Sequence, residues 1–201
     1  ADARAMAEAA EDAVGAPRGS FLVCSTGRIG RRLPMERVGR GIAEAARSLG
    51  GSPEHALGAA RAILTSDTRE KVFRTDGLAG MAKGAGMIEP NMATMLAFFL
   101  SDRAVSKDRI QGLLRAAAGP SFNAITVDGD MSTNDTVLLL ANGQSGRDGG
   151  EAFAASLAAG CTGLAHKMVA DGERVTKFVE VRIEGAPDDA AAEKVARCIG
   201  N

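Results

Sequence analysis

Two periods of apolar residues alternate along this chain, one near 3.6 and one near 2, and together they predict an ordered series of helices and strands. "ADARAMAEAAEDAV" (residues 1–14) reads as an Ala-rich helix stopped by "GAPRG", and "SFLVCST" (20–26) is an apolar run of strand length. In "MERVGRGIAEAARSL" (35–49) the apolar positions Val38, Ile42, Ala45, Ala46 and Leu49 fall on one helical face, which Gly50 and Gly51 close. Pro53 opens the next helix, "PEHALGAARAIL". "KVFRTDGLAG" predicts a strand and turn, followed by a glycine-rich stretch and a strand from Thr94. Beyond it, "SKDRIQGLLRAAAG" predicts a helix with Ser106 at its N-cap and Asp108 in its first turn. "FNAITVDGD" and "TVLLLANG" predict two strands flanking "MSTND". A long helix or a pair follows over 149–172, then "KFVEVRIEG" as a half-buried strand, and "PDDAAAEKVARCIG" as an amphipathic helix. The class is α/β or α+β, with helices covering sheet faces.

Composition narrows the function classes. A chain of 201 residues can bury one sizeable core, and 45% hydrophobic with 24% charged residues is ordinary for a globular protein. Aromatic content is 3%, and 24 basic residues nearly balance 25 acidic ones. Nucleic acid is therefore not an expected partner, because base-stacking surfaces need aromatics beside clustered cations. Cys24, Cys161 and Cys198 are odd in number and widely spaced, which suits small core residues better than a disulfide framework or a metal site. There is no signal peptide and no apolar run of about 18 residues, so a cytoplasmic protein without membrane insertion is expected. The chain opens "ADARAM" rather than with Met, as a processed product or a fragment would.

Candidate chemistry centres on Thr94, in "EPNMATMLAFFL". His55 and His166 are the only histidines, and both read as helix-end residues, so a Ser-His-Asp site is poorly supported. "KGAGM" fits neither a P-loop nor a dinucleotide fingerprint. A threonine can dispense with histidine if cleavage before it supplies its own α-amine as base, with an ordinary pKa of about 8. Ala93 is small, and the glycine-rich approach lets other backbone come close. The competing reading is a β-branched residue opening a strand. In "CSTGRIGRRLP" (24–34), Gly27 can offer a backbone N–H and Thr26 a hydroxyl to an oxyanion, or the segment is an ordinary polar turn. Arg28, Arg31 and Arg32 read as a solvated face, and Met81, Met87, Met92 and Met95 as packing.

Five blocks in order, "STGRIGRRLP", "AILTSDT", "GMAKGAGMIEPNMATML", "FNAITVDGDMSTNDT" and "DGERVTKFVEV", resemble the glutamate N-acetyltransferase (ornithine acetyltransferase) family. The resemblance implies self-cleavage at Ala93–Thr94, with Thr94 becoming the nucleophile of a new chain. It implies Thr26 and Gly27 as the oxyanion pair, and Thr65, Lys83, Thr94 and Glu173 as substrate contacts. Asn134 and Asp135, in a polar turn, either support the site or only order their loop. The implied reaction is ping-pong acetyl transfer from N2-acetyl-L-ornithine to L-glutamate in arginine biosynthesis. No cofactor or metal is expected, although acetyl-CoA could serve as an alternative donor. The implied fold is a four-layer α/β/β/α sandwich, here incomplete at both ends.

The organisation implied is an α-like segment, 1–93, and a β-like segment, 94–201, associated after cleavage as α2β2 or higher. Members of the family are longer at both ends and draw an Asn and a Ser or Thr of the pocket from a C-terminal segment without counterpart here. The spacer between "TSDT" and "GMAKG" is also short. A fragment or a shortened relative fits these departures, and two other readings stand beside the transferase: an N-terminal-nucleophile amidohydrolase or aminopeptidase, and an inactive binding or assembly module.

Overall fold

The computed structural model describes residues 1–89 and 95–201, in two compact units, Ala1–Ala59 and Ala60–Asn201. The expected strand start at Thr94, with Ala93 and Met92, lies outside the described residues.

In the first unit, α1 (Asp2–Val14) packs on α2 (Met35–Arg47). Gly15 ends α1 in the left-handed region at φ 68°, a conformation that costs glycine nothing, and the Ala16 N–H returns to the Glu11 carbonyl at 2.9 Å. The buried Glu11 carboxylate then accepts the N–H groups of Gly19 at 2.8 Å and Ser20 at 3.0 Å. One acidic side chain thus ties the turn after α1 to the helix. "SFLVCST" is not a strand: it makes no ladder with any described residue, and Leu22 is 66% exposed. An apolar run supplies strand propensity, but only a hydrogen-bonding neighbour makes a strand. Helix α3 (Pro53–Ala62) begins in this unit and ends in the second.

The second unit is built on a four-stranded sheet, β1 (Lys71–Thr75), β2 (Leu78–Lys83), β3 (Leu96–Ser101) and β4 (Thr136–Ala141), in that spatial order. β1, β2 and β3 pair antiparallel, while β4 joins β3 in parallel. Thr75 pairs with Leu78 across a two-residue Asp76–Gly77 turn in which Gly77 has φ 73°, as a tight hairpin requires. β2 runs on to Lys83, into the stretch that its glycine and alanine content marked as loop. Gly80 is needed there because a Cβ would lie 2.7 Å from the Phe99 ring.

Between β3 and β4 run α4 (Lys107–Ala118) and a short 3-10 turn, Phe122–Ala124. Ser106 occupies the N-cap position of α4 without a side-chain cap bond. "FNAITVDGD" is therefore not a strand; its Val127 N–H donates singly to the Ile88 carbonyl at 2.8 Å instead of to a ladder. A single helix, α5 (Glu151–Val169), fills the span read as one helix or two. "KFVEVRIEG" likewise has no partner strand among the described residues, and Val179 is 70% exposed. The last helix, α6 (Asp189–Gly200), starts at Asp188, whose carboxylate caps the Ala191 N–H at 2.7 Å.

Helices α4 and α5 pack together, α5 also against β1 and β2 and α4 against β4. Phe73, Gly80, Phe99 and Leu139 face them in one cross-strand row. Leu157, Cys161, Leu164 and Met168 of α5 are wholly buried there, and Gly160 lets the helix approach until a Cβ would stand 3.0 Å from the Phe73 and Phe99 rings. Burial pushes the Cys161 thiol up to about 12, so it remains a neutral core residue. The opposite face carries the rows Val72–Met81–Phe98–Leu138 and Arg74–Ala79–Leu100–Leu140, with Leu100 and Leu140 more than half exposed. The content is mixed α and β, as the sequence predicts.

Candidate active site

In the second unit one end of the sheet collects charge. β2 ends there at Lys83, β3 begins there after Met95, and β4 begins there after Asp135. Lys83 is 1% exposed. Burial pushes its ammonium below the ordinary lysine value, as does the Lys71 charge, against the upward pull of Asp67 and Asp135.

Behind Lys83 stands a buried triad that the sequence reading did not single out. The Lys71 ammonium donates to Asp67 Oδ1 and to Asp171 Oδ2, both at 2.6 Å, with all three side chains at most 2% exposed. Asp67 Oδ1 also accepts the Gly84 N–H at 2.7 Å, and its Oδ2 accepts the Thr65 N–H at 3.2 Å. Asp171 takes the Thr68 N–H at 3.0 Å and the Thr68 hydroxyl. Burial works against ionisation at both carboxyls, and the Lys71 ammonium with these N–H donors outweighs it. Asp67 is held below the usual carboxylate range and Asp171 at about 2.

The triad decides which loops meet. It joins the "TSDT" box to the residue after Lys83, and Asp171 leads two residues on to Glu173. The Glu173 N–H donates to the Ala85 carbonyl at 2.6 Å, and a Cβ on Gly86 would stand 2.8 Å from the Glu173 carboxyl carbon. Thr65 and Glu173 are thereby carried by loops fastened to the residues that follow Lys83, the last residue of β2. Two non-glycine residues with positive φ, Met87 at 55° and Arg174 at 60°, sit in two of these loops, where strain collects at functional sites.

Of the remaining candidates, Asp135 accepts the Met95 N–H on Oδ1 at 2.8 Å, while Asn134 donates its N–H to Ser132 Oγ at 3.2 Å. Thr94 and Ala93 lie outside the described residues. Thr26 and Gly27 belong to the first unit: Thr26 is half-buried, and Gly27 is exposed with no atom near the place of a Cβ. The histidines stand apart from this chemistry. His55 Nδ1 is 2.8 Å from Ser52 Oγ at a helix start, and His166 meets the Phe178 ring edge-on at 5.3 Å.

A groove of about 710 Å³ also borders Glu173, but it runs away from Lys83 between α6 and residues 174–181. Val127, Val175 and Ile199 line it together with charged residues, among them Arg174, Lys177, Glu180 and Glu193. Among the described residues, no cluster of three or more His, Cys, Asp or Glu could hold a metal ion, and no helix is long and apolar enough to cross a membrane.

Asp67, Lys71 and Asp171 lay inside or beside blocks already recognised. Their signal was a lysine opening a strand with acids nearby, which ordinarily means a solvated face.

The sequence model described as the ArgJ family matches residues 1–201. The chain is 46% identical to the Schizosaccharomyces japonicus "Arginine biosynthesis bifunctional protein ArgJ, mitochondrial", over 100% of this chain and 50% of that protein. It is 45% identical to the Geobacter sulfurreducens "Arginine biosynthesis bifunctional protein ArgJ" and 44% identical to the Methanopyrus kandleri "Glutamate N-acetyltransferase", in each case over 100% of this chain and 54% of the relative. The chain thus spans about half the length of the curated relatives it matches.

Proposed function

Because the chain belongs to the ArgJ family, we propose that the protein containing it moves an acetyl group from N2-acetyl-L-ornithine to L-glutamate, after cutting itself at Ala93–Thr94. The observation that supports this reading most is the fastening of the Thr65 and Glu173 loops to the residues after Lys83, at the end of the sheet from which β3 leaves, two residues after Thr94 in sequence.

In the first half-reaction Thr94 Oγ attacks the acetyl carbonyl carbon and passes its proton to the Thr94 amine. Thr26 and Gly27 donate to the oxyanion of the tetrahedral intermediate, and loss of one such donor costs roughly 10²–10³ in rate. The C–N bond breaks, the Thr94 ammonium protonates the departing ornithine nitrogen, and the acetyl remains as an ester on Oγ. The glutamate amine then attacks that ester, and the proton transfers run in reverse. Lys83 supplies a cation for a substrate carboxylate, and Glu173 and Thr65 supply polar acceptors. The acetyl group comes from the substrate, so no resident cofactor is needed, and acetyl-CoA is a second candidate donor.

The full architecture in this reading is a four-layer α/β/β/α sandwich, with α4 and α5 as one outer layer. The open apolar face at Leu100 and Leu140 supports a second sheet lying against it. The 93/94 division is chemical, and the two segments stay associated in an assembly of α2β2 or higher in the cytoplasm.

The test is product formation by the full-length protein. N-acetylornithine should yield N-acetylglutamate only when glutamate is added. Ornithine and acetate released equally fast without glutamate would replace the transferase with an amidohydrolase.

A further inference from the structure

Two lysines of the second unit lie out of water one register step apart. Lys71 opens β1 opposite Ala82, and Lys83 follows Ala82 at the end of β2; they are 0% and 1% exposed. Two ammoniums so placed repel each other and lose hydration, so each holds its charge only beside a carboxylate.

The acids are shared unevenly. Asp171 hydrogen-bonds the Lys71 ammonium at 2.6 Å. Lys83 feels the attraction of Asp67 in the "TSDT" box, then that of Asp135 in the turn before β4, and the repulsion of Lys71 on β1. Asp135 binds the Met95 N–H through Oδ1 at 2.8 Å, and its Oδ2 is buried with no hydrogen-bond partner among the described residues.

Asp67 serves both lysines. Its Oδ1 accepts from the Lys71 ammonium at 2.6 Å and from the Gly84 N–H, one residue past Lys83, at 2.7 Å. Its Oδ2 accepts the Thr65 N–H at 3.2 Å. Three donors on a side chain closed to solvent fix this carboxylate in place.

We propose that Asp67 is a positioning residue for the substrate: it sets the main chain at Thr65 and just past Lys83, and as the shared counter-charge of two buried lysines it keeps the Lys83 ammonium charged for a substrate carboxylate. The inference rests on the reading above that Lys83 meets that carboxylate. Asp67 acts through Lys83 and Thr65 and touches no substrate itself.

This arrangement gives two substitutions opposite signs. Without the Asp67 charge, Lys83 faces Lys71 with only Asp135 to offset it, and the neutral amine is favoured. Without the Lys71 charge, a repulsion disappears and Asp67 is left to Lys83, so the ammonium is favoured. Asp135, raised by burial to about 6, is ionised on the alkaline side, as are the carboxylates that loss of Lys71 sets free.

The test is the pH profile of kcat/KM for acetyl transfer from N-acetylornithine by the full-length protein. Asp67→Asn keeps an oxygen for the Gly84 N–H and removes the charge. Its alkaline limb should move about one unit to lower pH, so that KM on the alkaline side rises about tenfold while kcat changes far less. Lys71→Met should move the same limb to higher pH. Loops that are merely loosened raise KM equally at every pH and shift no limb. A limb that stays in place or moves the opposite way in either variant overturns the inference, and one variant suffices where the other does not fold.

Lys83→Gln separates the inference from its premise. A KM unchanged by that substitution refutes the reading of Lys83 as a substrate contact, and a wild type without acetyl transfer refutes both. A raised KM in Lys83→Gln with an unmoved limb in the Asp67 or Lys71 variant refutes the inference alone.

Discussion

Lys71→Met tests whether the buried triad holds the second unit and its loops together. Methionine matches the length of the lysine stem and removes only the charge and its donors. Asp67 and Asp171, each 2.6 Å from the ammonium, are then left buried and mutually repulsive. Removing one partner of a buried pair typically costs about 3–5 kcal/mol, against about 0–1 kcal/mol for a surface pair. The N–H donors of Thr65, Gly84 and Thr68 remain, which places the expected loss at the lower end of that range. At roughly 2–4 °C per kcal/mol, melting should fall by about 6–12 °C at pH 7.

The pH dependence has a definite sign. Both carboxyls sit below their ordinary values in the native state, Asp171 at about 2. Their contribution is therefore present above the unfolded carboxyl value of about 4 and lost as pH falls toward 2. In the variant they prefer the proton, so the deficit is largest at neutral pH and shrinks toward pH 4. Thermal melts of both proteins at pH 7 and pH 4 measure this. Adding Asp171→Asn to Lys71→Met should recover part of the loss. A variant within 2 °C of wild type at pH 7, or an equal deficit at both pH values, would refute the triad's role.

Gly86→Ala places a methyl group against the end of the Glu173 side chain, which can swing away. Stability should change by less than about 1 kcal/mol, while KM for N-acetylornithine rises; an unchanged KM would remove Glu173 from substrate binding. Leu157→Ala opens a cavity under the sheet at a wholly buried position, and denaturant unfolding should show a loss of about 2–5 kcal/mol. A loss under about 1 kcal/mol would mean that α5 does not anchor the core.

Much of the fold is legible in the sequence, because helices declare themselves locally. The apolar faces of α2, α4 and α6 and the length of α5 follow from periodicity and from Gly and Pro positions. Strands declare only propensity. "TVLLLANG" met a partner and became β4, whereas "SFLVCST" and "KFVEVRIEG" carry equal propensity and pair with no described residue. Conversely β2 was hidden by Ala79, Gly80 and Ala82: a Cβ at Gly80 would meet the Phe99 ring and Leu164 of α5, whereas Ala79 lies on the exposed opposite face.

The site residues carried by ordered blocks could be named in advance, but their fastening could not. A buried Lys71 and an exposed lysine at a strand start look alike in sequence, and the pairing of Lys71 with Asp171 spans about half the chain. Asp135 could be named as a turn residue, while its unmet oxygen exists only in three dimensions.

The most direct test of the account is the intact mass of the purified full-length protein, with N-terminal sequencing of its pieces. A cut between Ala93 and Thr94, giving a chain that begins Thr-Met-Leu, is predicted for the wild type and should be absent in Thr94→Ala. A wild type that remains uncut, or a Thr94→Ala protein cut at the same bond, would contradict it.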